Sequence, residues 1–178
     1  MSFQVFIAPY SNPLNGQWTD AADAVATYEA AQDRFDEVAF MDAEHALVDE
    51  HSRPEFVEAL AELDADEDRL LRAFVDAGGI DAGKLADEYD VAYAVGMAQE
   101  RLACVSDTKA DAWRAFMDSG EGEIVEHELS KLHETIRNYF NWEHWANEHL
   151  DHYHSHGEID DPLGHGFLAA RHYYFRDE

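Results

Sequence analysis

The sequence predicts an α+β chain: an elongated molecule with a small sheet-plus-helix N-terminal part, a helical middle and an α+β C-terminal part. Three observations carry that prediction. β-prone runs lie near both ends, a period-3.6 apolar pattern fills the middle, and clusters of Gly, Pro, Asn and Ser punctuate the chain between them. The composition shifts place the boundaries at 1–52 for an N-terminal α+β domain and 53–106 for an acidic helical domain. Residues 107–178 form a C-terminal α+β domain with a His-rich loop.

Gln4-Val5-Phe6-Ile7-Ala8 reads as a strand, stopped by Pro9 and the turn cluster Ser11-Asn12-Pro13-Leu14-Asn15-Gly16. Gln17-Trp18-Thr19 returns alongside it. Thr19 or Asp20 then caps a helix to about Phe35, with Ala22, Val25, Ala26 and Tyr28 inward. Glu37 to Asp42 alternates as a third strand. Ser52 caps the start of the helical middle, with Pro54 at the first helical position, which suits proline. There Phe56, Leu60 and Leu63 form one stripe. Leu70, Leu71, Phe74 and Val75 carry a second helix to Gly78-Gly79; further helices run from about Ala82 to Tyr89 and Val91 to Cys104. Asp107 opens another, with Trp113, Phe116 and Met117 inward. A longer helix follows from Glu123 to Arg137, then an aromatic helix from Trp142 to about His152. Residues 157–166 read as a loop and Phe167 to Phe175 as a closing strand.

Charge is the dominant feature of the composition. The chain carries 39 Asp+Glu against 12 Lys+Arg in 178 residues, a net charge of −27. These acids run through segments that also carry aliphatic and aromatic residues at helical spacing, and 46% of the residues are hydrophobic, which excludes a disordered acidic chain. Self-repulsion on this scale costs stability. Either a high-salt habitat screens it or the function requires it, and composition leaves both open. Basic patches with interleaved aromatics are absent, so direct nucleic-acid binding is excluded. No run of about 18 apolar residues is present, and the start lacks a basic region followed by an apolar one. With a single cysteine, Cys104, the expectation is a cytoplasmic protein of a bacterial or archaeal host, the thiol a small buried hydrophobe.

Several short motifs look like chemistry and fail on inspection. Gly78 to Lys84 matches G-x-x-x-x-G-K, but Leu85 replaces the magnesium-binding hydroxyl and a helix precedes it. Asp64-Ala65-Asp66-Glu67-Asp68 begins like a calcium loop, yet Arg69 stands where glycine is required, which leaves a solvated helix junction. His127-Glu128 and His133-Glu134 lack a second histidine one turn on. His149, His152, His154 and His156 form a genuine cluster, with His144 upstream, but at no established ligand spacing. No catalytic residue and no cofactor is expected, and a metal-binding protein built on that cluster stays an alternative.

The remaining reading is a charge template. Duplex DNA carries one negative charge per about 1.7 Å of axis. Helix residues i and i+4 stand about 6 Å apart, a spacing comparable to that of phosphates on one strand. The candidate phosphate-mimicking acids are Asp20, Asp23, Glu29, Asp33, Asp36, Glu37, Glu55, Glu58, Glu62, Asp66, Glu67, Asp87, Glu88 and Asp90.

Beyond charge, the opening Gln4-Val5-Phe6-Ile7-Ala8 … Asn15-Gly16-Gln17-Trp18 resembles that of the ArdA antirestriction proteins. Glu37 to Glu44 resembles the family's next strand. Tyr139, Phe140, Asn141, Trp142, Trp145, Ala146, Asn147 and Glu148 match its N-Y-I-D-Y-x-x-Y/W-A/G-R-D stretch, with Asn141 for Asp, Asn147 for Arg and Glu148 for Asp. The resemblance implies a three-part, elongated homodimer, carried by a phage or other mobile element. Such a protein imitates bent DNA and inhibits type I restriction–modification enzymes by occupying their DNA groove, without catalysis. CRISPR effectors and other defence nucleases, which also hold nucleic acid in basic channels, are the alternative targets.

Overall fold

In the computed structural model of the chain, residues 2–88, 90–163 and 167–177 are described, of which 161–163 and 167–169 by their backbone alone. The described residues form an α+β fold with two three-stranded antiparallel sheets, in agreement with the class the sequence predicts. Internal contacts divide the chain into two compact units. The first is Met1–Arg72 with Ile80–Met97; the second is Ala73–Gly79 with Ala98–Glu178. The helical middle is therefore shared between the two.

In the first unit β1 (Gln4–Pro9) is the central strand, flanked by β2 (Gln17–Asp20) and β3 (Val38–Ala43). Val5, Ile7 and Ala8 are buried, as the middle position in a sheet demands. Helix α1 (Ala24–Gln32) packs on this sheet through Tyr28, whose hydroxyl donates to the Val38 carbonyl and whose ring lies 5.4 Å from Phe40. The sequence places Ala22 and Ala26 inward; both are exposed, and Ala21 and Ala24 are buried instead. A 3-10 turn over Ala21–Asp23 precedes α1. Three residues per turn superimpose i and i+3, so the inward face falls on that pair.

Helix α2 (Pro54–Glu62) buries Phe56 and Leu60 of the expected stripe together with Val57, and Leu63, the stripe's third member, is buried just past the helix end. Ser52 does not cap it: its hydroxyl is engaged with Asp49, and Arg53 occupies the capping position. The Arg53 guanidinium instead reaches the Ala86 carbonyl at 2.9 Å, in the last turn of α4 (Ala82–Glu88). Helix α3 (Ala65–Asp76) starts with a capping box. Asp64 accepts from the amides of Asp66 and Glu67, and Glu67 accepts in return from the Asp64 amide. One turn on, Asp68 is 1% exposed. His45 Nε2 lies 2.6 Å from Asp68 Oδ1, and Arg72 donates to Oδ2 at 2.8–3.0 Å. His45 Nδ1 accepts the Leu47 amide, which puts the ring proton on Nε2 facing the carboxylate. The acidic run that opens like a calcium loop is thus an exposed helix junction, as expected, whose first residue caps α3 and whose last, Asp68, is a buried ion-pair anchor.

Helix α3 ends at Gly78 (φ 75°), a left-handed residue that closes a Schellman motif: Gly79 N–H donates to the Phe74 carbonyl and Gly78 N–H to that of Val75. Gly78 and Gly79 of the G-x-x-x-x-G-K match therefore terminate a helix, and Gly83 lies in the first turn of the next, Ala82–Glu88. Helix α5 (Val91–Arg101) stops short of the predicted end at Cys104, because Leu102–Ser106 leaves it as strand β4.

In the second unit β4 pairs with β6 (Phe167–Arg176), and β6 pairs with β5 (His154–Leu163) in a ten-residue register from His154↔Arg176 to Leu163↔Phe167. The expected loop over 157–166 is strand as far as Leu163, and 164–166 lie outside the described residues. Gly157 reads as a loop signal but serves close packing: a Cβ there would sit 2.1 Å from the Ala73 carbonyl oxygen. Against the sheet pack α6 (Ala112–Met117) and α9 (Trp142–Tyr153), their core made of Cys104, Ala112, Phe116, Ala146, Leu150 and Tyr174. The predicted helix 123–137 is two, α7 (Gly120–Ser130) and α8 (Glu134–Asn138), the second capped by His133 Nδ1 on the Thr135 amide.

Asp68→Asn is expected to cost about 3 kcal/mol in urea or thermal unfolding, because it breaks a buried ion pair. Burial raises the Asp68 pKa, but the hydrogen bond from His45 and the Arg72 charge outweigh it and hold the group below the ordinary Asp range. Its contribution is complete above the unfolded value of about 3.9 and is lost as pH falls through the lower folded one. The variant should therefore show a shallower acid dependence than the wild type. Equal slopes would refute the anchor role.

Candidate functional site

All fourteen candidate phosphate-mimicking acids lie in the first unit, which holds 21 Asp and Glu against five Lys and Arg. Eleven of them are exposed; Asp20, Glu58 and Glu67 are half-buried. These three have local duties: Asp20 accepts from Ser2, Glu58 from the Val25 amide at the start of α1, and Glu67 completes the capping box. Asp66 is exposed and paired with Arg69 at 2.8 Å. Asp90 caps α5 through the Tyr93 amide yet stays exposed. Glu55, Glu88 and Asp90, distant in sequence, line one open cleft together with Arg53 and Phe56. Carboxylates converging on a cleft with one guanidinium present a strongly negative surface in which water screens incompletely.

Residues 139–148 lead into and open α9 in the second unit. Tyr139 is 86% exposed, whereas Ala146 is fully buried. Phe140, Trp142, Trp145 and Asn147 are half-buried, and Glu148 is exposed, 3.4 Å from His152. Asn141 accepts the His144 amide as the helix cap. Asn is among the strongest N-cap residues, equal to Asp in this role.

The histidine run separates into different environments. His152 is exposed on α9. His149 joins His154 and Glu121, while His156 joins Glu158 and His172. His156 Nε2 lies 3.0 Å from His172 Nδ1, with the rings stacked at 5.2 Å. Burial lowers the His156 pKa, and His172 and Lys109 lower it further against the opposing charges of Glu158 and Asp76. Sequence reasoning does not find Glu121, Glu158 or His172. The last two follow from the β5–β6 register, Glu158↔His172, once residues 157–163 are recognised as strand. Glu121 is 28 and 33 residues from its histidines, and no spacing signals it.

Cys104 is buried, as expected, and its thiol is pushed up to about 12 by burial and by the charge of Glu121. The folded chain should therefore resist aromatic disulfide reagents at pH 8 and react fully once unfolded in guanidinium. Rapid labelling of the folded state would show the thiol to be accessible. Comparison with protein-family models, with curated proteins and with solved structures found no match to this chain.

Proposed function

We propose that this chain is a non-catalytic DNA mimic that inhibits type I restriction–modification enzymes by occupying their DNA-binding groove. The observation that carries the reading is the density of exposed carboxylates on the first unit, eleven of the fourteen candidate positions, on folded elements rather than a tail. A groove lined with Lys and Arg to receive phosphates gains comparable Coulomb energy from carboxylates at similar spacing. The likeness of the opening strand-turn-strand and of residues 139–148 to the ArdA proteins supports this class of target and a homodimeric state. Among the described residues no helix is long and apolar enough to cross a membrane.

Binding to the methyltransferase core of a type I enzyme should weaken about tenfold or more between 50 and 200 mM NaCl, and duplex DNA should compete for the site. The triple variant Glu55→Gln, Glu88→Gln, Asp90→Asn keeps the α5 cap and removes three charges, so it should bind more weakly with a shallower salt slope. Salt-independent binding, or binding unaffected by excess duplex, would reject the mimic. Sedimentation of the free protein tests the dimer.

A further inference from the structure

We propose that Glu121, His149 and His154 form a binding site for a borderline transition-metal dication of the zinc class. The three residues come from different elements of the second unit: the first turn of α7, the middle of α9 and the first position of β5. One carboxylate faces both rings, with Oε1 3.2 Å from His149 Nε2 and Oε2 3.4 Å from His154 Nε2. Charge-assisted N–H···O contacts close to about 2.7–2.9 Å. Ligand atoms at the corners of a tetrahedron with bonds of 2.0–2.1 Å stand about 3.3 Å apart. Each ring meets its own oxygen of Glu121, and both separations are longer than a charge-assisted bond and close to the spacing that ligands of one ion adopt, so the carboxylate can share an ion with both rings. All three donor atoms lie within 4.8 Å of one another.

The donor set narrows the ion. Two imidazoles and one carboxylate suit zinc, cobalt, nickel or copper, whereas magnesium and calcium call for oxygen alone. Three protein ligands leave a fourth position for water. The rings are held by packing before any ion arrives. His149 stacks on Trp145 at 5.0 Å and lies 5.4 Å from Phe116, and His154 meets the same fully buried Phe116 edge-on at 5.6 Å. The side chain of His154 is 1% exposed, that of His149 24% and that of Glu121 31%, so the site is recessed yet open to an entering ion. His154 Nδ1 has no hydrogen-bond partner among the described residues. A ligand ring without an outer acceptor gives up about 10–100-fold in affinity, which places this site in the micromolar rather than the nanomolar range.

Neighbouring histidines supply internal controls. His152 is exposed and turned to Glu148. His156 belongs to the separate group with His172, 3.0 Å away, and Glu158, 3.7 Å from His172, and touches none of the three proposed ligands.

The test is titration of the full, chelator-treated chain with Zn²⁺ by calorimetry, and with Co²⁺ by visible absorption, which is intense for tetrahedral coordination. One ion per chain should bind with micromolar affinity, the Co²⁺ spectrum should be tetrahedral, and Zn²⁺ should raise the Tm. His149→Ala and Glu121→Gln, both at partly exposed positions and checked by circular dichroism, should each weaken binding tenfold or more. His152→Ala and His156→Ala should leave it within twofold. Absence of binding below millimolar Zn²⁺, or equal weakening by all four variants, would overturn the site and leave only diffuse chelation by a histidine-rich surface.

Discussion

Like-charge repulsion is the constraint to which the rest of this structure answers. A net −27 on 178 residues must be accommodated while a core still forms. The first unit does so by giving carboxylates work where negative charge is favourable. Asp64, Asp81 and Asp90 cap the first turns of α3, α4 and α5, and Glu58 reaches across to the first turn of α1. Each sits at the positive end of a helix dipole and satisfies amides that would otherwise lack partners. Asp68 is the exception that goes inside, and it does so only with a histidine on one oxygen and an arginine on the other.

That placement has a functional consequence. Once caps and one buried anchor have absorbed a few acids, the remainder face solvent on helices and strand ends whose backbones are fixed. Fixed exposed charge differs from charge on a tail, because its geometry can be complementary to a partner and its entropy cost is already met in folding. Exposed ion pairs such as Asp66–Arg69 are few beside the number of acids and individually weak, so they neutralise little of this surface.

The second unit uses titratable groups differently. It holds nine of the eleven histidines, and its helices and hairpin sort the described ones into packed, paired and solvent-facing sets. Aromatic contacts around Phe116, Trp145 and Tyr174 fix the rings of His149, His154 and His156, which gives these side chains defined directions in a core that is otherwise apolar.

By itself the sequence determined the α+β class, the three N-terminal strands, the stripe Phe56–Leu60, the buried thiol of Cys104 and the glycine stop after α3. Each follows from a local signal: alternation, helical period, or a residue whose backbone freedom suits one conformation. Local signals also misled. Gly157 and Pro162 read as loop, although β6 supplies ladder partners that the segment cannot display in its own composition. Residues 102–104 read as the end of a helix for the same reason, since their partner strand lies some 70 positions away. Only the tertiary structure decided that Glu58 reaches the start of α1, which acid is buried against His45, and which histidines meet a glutamate. Such pairings depend on side chains brought together from distant elements, and no period or spacing in one dimension encodes that proximity.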